Sequence, residues 1–318
     1  MIGTRLTRAF GLQYPIVSAP MALAGGGALA AAVTRAGGLG LIGGGYGDAD
    51  WLEAQFRAAG NVKVGCGFIT WKLTEQPHLL TSVLSHEPKA IFLSFGDPVP
   101  FAEEIHAAKV PLICQVQTLE HARRAIEAGA AVIAAQGGEA GGHGATRATL
   151  TLVPEIADLL QAESPDTLLL AAGGIADGRG LAAALMLGAD GVLVGSRLWA
   201  SSEALVADGF QQAALRADGD ATLRSSLPDI ARRLDWPKPF TIRTLRNAFT
   251  ERWQDDPEAL ARADGGGYGE AAAAGDADGA PAIIGEAVGL IRDITPASDI
   301  VARMVSQAEA LLDGGWRR

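Results

Sequence analysis

Cysteine is nearly absent: Cys66 and Cys114 are the only two in 318 residues. Both lie in apolar, strand-like surroundings and form no CxxC pair, which argues against a disulfide framework or a thiolate metal centre and for small buried side chains. Long apolar runs are missing as well, because glycines interrupt every stretch that approaches the length of a membrane span. The first ten residues carry Arg5 and Arg8 but no long apolar core, so no signal peptide is expected and the expected location is the cytoplasm. Clusters of basic residues are lacking too. The 26 Lys and Arg are scattered and outnumbered by 36 Asp and Glu, for a formal net charge of −10. A nucleic-acid surface needs grouped cations to neutralise phosphates, so no nucleic-acid partner is expected, and no membrane partner either. There is no G-x-S-x-G elbow for a serine nucleophile. There is no GxGxxG opening of a dinucleotide-binding unit. The five histidines are dispersed rather than grouped as metal ligands, and no metal is expected.

What is present is a globular composition, 48% hydrophobic and 19% charged, long enough for one large domain or two ordinary ones. Eight short apolar runs stand out, at residues 14–19, 38–42, 62–68, 90–95, 111–116, 131–135, 168–172 and 191–194, each ending in glycine, proline or a polar turn. Helical patterns separate them. Asp48 stands at the start of one and Asp177 of another. Thr118 can cap a third, in which Leu119, Ala122, Ala125 and Ile126 share a face and Gly129 is the stop. Alternation of this kind predicts βα units and a parallel sheet. Eight units without a reversal predict a closed (β/α)8 TIM barrel, with an open sheet as the alternative.

Residues 201–289 differ. Charged, helix-prone pieces at 223–234 and 241–253 flank Trp236-Pro237-Lys238-Pro239, and the Gly-, Ala- and Asp-rich stretch 264–281 reads as a flexible loop. Helical periodicity returns at 298–312. The expected organisation is therefore a barrel from residues 1–200 and 290–318, with a mainly helical insertion, 201–289, over the face where barrels keep their active sites.

Three glycine-rich stretches carry the chemistry. The central one is residues 134–147, Ala-Ala-Gln-Gly-Gly-Glu-Ala-Gly-Gly-His-Gly-Ala-Thr-Arg, which follows the sixth apolar run. Its glycines let the backbone turn and approach a ligand around one carboxylate, Glu139, and one imidazole, His143. A mobile surface loop is the plainer account. The other two are Ala-Ala-Gly-Gly-Ile-Ala-Asp at 171–177 and Gly-Val-Leu-Val-Gly-Ser-Arg at 191–197. They follow the seventh and eighth runs, where barrels bind phosphate through backbone N–H groups and helix N-termini without needing a lysine. Two tight turns would be the plainer account here. His78, His86, His106 and His121 fall on expected helices and are assigned to solvated or helix-end positions. Met21 is expected in the core, with its backbone near the pocket.

Together, Ala19-Pro20-Met21, Gly37-Gly38-Leu39-Gly40, Gln136 through His143, Ala172 through Arg179, and Gly195-Ser196-Arg197 resemble the nitronate monooxygenase family, and the likeness resumes at residues 285–294. The resemblance implies a TIM barrel holding non-covalent FMN, with its phosphate on Gly173, Gly174, Gly195 and Ser196. It places Ala19, Pro20, Met21, Gly141 and Gly142 at the cofactor and His143 beside the reactive end of the flavin. Gln115 and Gln136 are candidates to hydrogen-bond the ring. Four positions depart from patterns found in the family. Gly67 stands where many members carry asparagine, Cys114-Gln115 where many carry His-Lys, and Glu286 where some carry glutamine. The implied activity is oxidation of alkyl nitronates by O2 to a carbonyl compound and nitrite, with His143 able to take the α-proton of a neutral nitroalkane. Two alternatives remain. A flavin-dependent enoyl-thioester reductase would consume NAD(P)H with an enoyl thioester, and a barrel binding a phosphorylated ligand without turnover would lack a reducible flavin. Homo-oligomerisation stays open.

Overall fold

Successive side chains of a strand point to opposite faces, and each apolar run here has a layer to fill on both. The computed structural model describes residues 2–315. Strands β1 (Ile16–Ser18), β2 (Leu41–Gly43), β3 (Gly65–Ile69), β4 (Ile91–Ser94), β5 (Leu112–Val116) and β6 (Val132–Gln136) follow one another around a parallel sheet. A short strand, β7 (Gly142–Gly144), leaves that sheet. Strands β8 (Leu168–Ala172) and β9 (Gly191–Val194) then complete it, in the order β1-β9-β8-β6-β5-β4-β3-β2. The seam between β1 and β2 is closed through Leu39. Ser18 N–H donates to Leu39 O and Leu39 N–H to Ile16 O, both at 2.9 Å, while Leu41 N–H donates to Ser18 Oγ at 2.9 Å. The expected TIM barrel is the fold observed, and its closure leaves no free strand edge.

Inward-facing Val17, Leu41, Phe92, Ile113, Val132, Leu170 and Leu193 fill the barrel, joined by Leu6 and Phe10 of helix Arg5–Phe10 at the N-terminal end. Arg5 locks that helix down by pairing with Asp190 at 2.8 Å. Ile16, Ile42, Leu93, Cys114, Ile133 and Val192 point outward, beneath the helices. Burying each such side chain contributes about 1.5–3 kcal/mol. Moving two residues further from Val17, Phe92, Ile113 and Leu193 reaches Ala19, Ser94, Gln115 and Gly195, and moving four from Val132 and Leu170, past Ala134 and Ala172, reaches Gln136 and Gly174. The apolar layers stop there, so the alternation itself delivers small and polar groups to the C-terminal mouth.

The caps form as expected. Asp48 accepts from Trp51 N–H at 2.9 Å, Thr118 from His121 N–H at 3.1 Å, and Asp177 from Arg179 N–H at 2.9 Å. Helix Ala297–Ala310 packs on helix Gly178–Met186, so closely that a Cβ at Gly178 would stand 2.5 Å from Met304 O. Met1 and residues 316–318, which the expected organisation assigned to the barrel, lie outside the described residues. Among the described residues no helix is long and apolar enough to cross a membrane. Cys66 and Cys114 are buried and unbridged. Burial pushes both thiols up, Cys114 to about 12.

Residues 201–289 correct three expectations. The helical readings of 223–234 and 241–253 hold only over Leu227–Ala231 and Ala248–Trp253. The remainder supplies strands β10 (Thr222–Ser225) and β11 (Thr241–Leu245), because β-branched Thr241, Ile242 and Thr244 suit an extended, half-buried position. Strand β11 pairs antiparallel with β7, placing Ile242 opposite His143, so the histidine sits on a strand of a small second sheet. Residues 264–281 are no unstructured loop either. They form a turn, Asp264–Gly267, and a helix, Tyr268–Ala274, because Tyr268 is buried edge-on against Phe249 at 5.4 Å. With Leu227, Trp253, Leu260 and Ala280 these rings make an apolar cluster separate from the barrel core.

Candidate functional site

A cavity of about 550 Å³ opens at the C-terminal mouth, and His143 and every residue expected at the cofactor line it. Ala19, Pro20 and Met21 come from the end of β1, Gln115 from β5 and Gln136 from β6. Gly141, Gly142 and His143 come from β7 and its approach, Gly173 and Gly174 from the turn after β8, and Gly195 and Ser196 from the turn after β9.

The two glycine turns present unused donors. The N–H groups of Gly173, Gly174, Gly195 and Ser196 find no acceptor among the described residues. Gly173 and Gly174 adopt φ of 105° and 73°, a region closed to most side chains. A Cβ at Gly173 would also stand 2.9 Å from Thr149 Oγ1. Ser196 Oγ accepts from Gly285 N–H at 2.9 Å, tying residues 281–285 to the same rim.

The glutamines divide. Gln136 is occupied within the protein: its Nε2 donates to His143 O at 3.0 Å, and its Oε1 accepts from Gln117 Nε2 at 3.0 Å. It therefore fixes the histidine backbone. Gln115 Nε2, by contrast, is buried without a hydrogen-bond partner, a costly state for a donor unless something else fills it. Glu139 turns away from the cavity and accepts from Thr149 N–H at 2.9 Å and Thr149 Oγ1–H at 2.8 Å. That anchors the central stretch to the start of helix Thr149–Glu163.

His143 is held on several sides. Its Nε2 lies 3.0 Å from both carboxylate oxygens of Asp229. Arg232 Nη2 in turn donates to Asp229 Oδ1 at 2.8 Å. The Trp236 ring stacks on the imidazole at 3.3 Å and 9°, and Phe95 approaches edge-on at 6.2 Å. Trp236 Nε1 donates to Tyr46 Oη at 3.2 Å, which links the insertion to the loop after β2. Burial pulls the His143 pKa below its ordinary value, and hydrogen bonding to Asp229 opposes that only in part.

Two arginines brace the glycine-rich approach. Arg224 donates from Nη2 to Gly138 O and Ala140 O, both at 3.1 Å, and burial brings it down to about 10. Arg243 donates from Nε to Gly138 O at 2.9 Å and pairs with Glu286 at 2.8 Å, so the departure at Glu286 carries an ion pair. The departure at Gly67 also has a local reason, since a Cβ there would stand 2.5 Å from Pro20 Cβ.

Sequence reading missed Gln117, Tyr46, Arg224, Asp229, Arg232 and Trp236. The three-residue spacing of Asp229 and Arg232 on a short helix was visible, but nothing in the sequence tied that helix to residue 143.

Fold and site together define an α/β-barrel enzyme whose mouth offers backbone donors, one unpaired amide and one buried histidine to a ligand. The nitronate monooxygenase sequence model matches residues 3–65 and 74–307. The chain belongs to that family and is an oxidoreductase. Nitronate monooxygenase npaC of Metarhizium robertsii is 36% identical over 336 aligned residues, covering 93% of this chain and 91% of that protein. Among solved structures, FabK from Thermotoga maritima superposes with a TM-score of 0.85 at 28% identity, covering 98% of both chains. Nitroalkane oxidase from Streptomyces ansochromogenes gives 0.81 at 25%, covering 96% of this chain and 99% of that one.

Proposed function

We propose that the chain oxidises alkyl nitronates with O2, yielding a carbonyl compound and nitrite, on non-covalently bound FMN, and that His143 is the base toward neutral nitroalkanes. The observation that carries this reading is convergence: the unpaired Gln115 Nε2, the free N–H groups of both glycine turns and His143 all meet one cavity. An anionic phosphate suits Gly173, Gly174, Gly195 and Ser196, whose amides supply donors without a formal charge. A ring with hydrogen-bond acceptors suits Gln115. Ala19, Pro20, Met21, Gly141 and Gly142 are small or flat enough to let such a ring lie close.

The flavin, when bound, supplies the redox chemistry between the substrate anion and O2. Everything else falls to the protein. A neutral nitroalkane must lose its α-proton before it is electron-rich, and neutral His143 accepts that proton. A nitronate arrives already deprotonated, so toward it His143 and its cationic neighbours position the negative charge. The segment 201–289 covers the site, and the rings of Phe95, Trp236 and Tyr268 keep water from the face it covers.

The experiment is the visible spectrum of the purified protein, followed by anaerobic addition of propane-2-nitronate and then O2. Flavin absorption that bleaches and returns with release of nitrite is the expected result. Flavin reduced by NADH and reoxidised by an enoyl thioester, with nitronate inert, would establish the reductase instead. A colourless protein that binds a phosphorylated ligand without turnover would remove both readings.

A further inference from the structure

Asp229 is a buried carboxylate delivered from outside the barrel. Helix Leu227–Ala231 carries it to His143, 86 positions away in sequence. Both its oxygens face Nε2, and a carboxylate out of water persists only where donors match its charge. Arg232 meets that need with an ion pair at 2.8 Å. His143 Nδ1 has no hydrogen-bond partner among the described residues, and the residue lines the cavity.

Neutral imidazole has one donor nitrogen and one acceptor nitrogen, and an ionised carboxylate can only accept. The nitrogen facing Asp229 must therefore hold the proton, and the lone pair falls to the other nitrogen. From this geometry we infer that Asp229 is the positioning residue of His143, selecting the tautomer with the proton on Nε2 and making Nδ1 the atom that takes the substrate proton. The inference rests on the reading of His143 as base. It assigns that role to one atom and its control to the insertion. Trp236 on the ring face and Phe95 at its edge oppose the ring flip that would exchange the two nitrogens. Once Nδ1 is protonated, the cation formed faces the carboxylate and is stabilised by it. The charged and titratable groups around the ring are Asp229, Arg232, Arg224 and, across Arg232, Tyr46. Of these, only Asp229 favours the protonated ring.

Nitrogen-15 NMR of the histidine-labelled protein reads the tautomer directly and needs neither turnover nor flavin. The His143 signals are assigned by their loss in His143→Asn. Above neutral pH, the expected spectrum shows Nε2 protonated and Nδ1 bare. In Asp229→Asn both tautomers should appear. The acid limb of neutral-nitroalkane oxidation should move to lower pH, and the ratio of neutral-nitroalkane to nitronate kcat/KM should fall by about tenfold or more. Asp229→Glu should restore part of that ratio. A proton on Nδ1 in the wild type would overturn the inference, even if the variants fail to fold. So would an Asp229→Asn protein whose tautomer, pH limb and substrate ratio are all unchanged. If His143→Asn loses both substrates equally, the base reading fails, whereas the tautomer measurement still reports separately on Asp229.

Discussion

At the scale of single residues, His143 is governed by two opposing effects, and burial outweighs the carboxylate. The neutral ring is therefore the working form at neutral pH. His143→Asn is expected to fold and keep flavin, yet to lose neutral-nitroalkane oxidation by about 10²–10⁴-fold, the usual worth of general-base catalysis, and nitronate oxidation far less. Parallel rates of nitrite release from nitroethane and ethyl nitronate test this, and equal small losses would remove the base role. Stability carries the same signature. An unfolded histidine protonates near pH 6.5, above the depressed folded value. Between the two values the unfolded chain binds more protons, so stability present above about pH 6.5 is lost as pH falls through that window. Urea denaturation at several pH values should show a decline there that is shallower in His143→Asn.

At the scale of elements, the turns after β8 and β9 and the glycines beneath the helices are the tightest constraints. Gly174→Asp would combine a strained φ of 73° with a negative charge beside the amides proposed to receive phosphate. Flavin affinity, followed by fluorescence during dilution, should drop sharply, and an unchanged affinity in the folded variant would refute the phosphate assignment. Gly40 tests packing instead. A Cβ there would stand 1.8 Å from Ala30 O in helix Gly27–Arg35, a backbone clash with no flexible side chain to yield. Gly40→Ala should cost about 1–3 kcal/mol or more in urea denaturation.

At the scale of the whole molecule, residues 201–289 bury one apolar cluster of their own around Leu260 and share another with the barrel mouth, where Ala176 and Trp199 meet Leu245 and Ile284; β7, β11 and the Trp236–His143 stack join the two parts further. Leu260, fully buried among Trp253, Tyr268 and Phe249, is a handle on the insertion's own cluster alone. Leu260→Ala should remove about 2–5 kcal/mol of local stability. Hydrogen exchange should then quicken across residues 222–280 while the barrel strands stay protected. Equal acceleration in β4 and β5 would mean that the two parts unfold as one.

Much of this molecule was legible in its sequence, for a local reason. A short apolar run such as residues 111–116, buried on both faces, a cap such as Asp177 and a stop such as Gly129 depend on neighbours a few positions away. Eight such units leave few arrangements that bury both faces of every strand. The glycine turns were legible because their backbone needs are local too, and His143 and the residues expected at the cofactor do line one cavity, whereas Glu139 turns to Thr149 instead. The strands at residues 223–225 and 241–245 were not legible. Their charges and short apolar spacings suit a helix in isolation, and only the pairing of the two segments with each other and with β7 makes them strands. The partners of the histidine were hidden for the same reason. Asp229, Arg232 and Trp236 gain their roles from contacts that close only after the barrel exists. From the sequence alone came the barrel, its mouth and the choice of His143; the carboxylate and ring that aim that histidine were decided by tertiary structure, because no local pattern encodes which distant charge will share its burial.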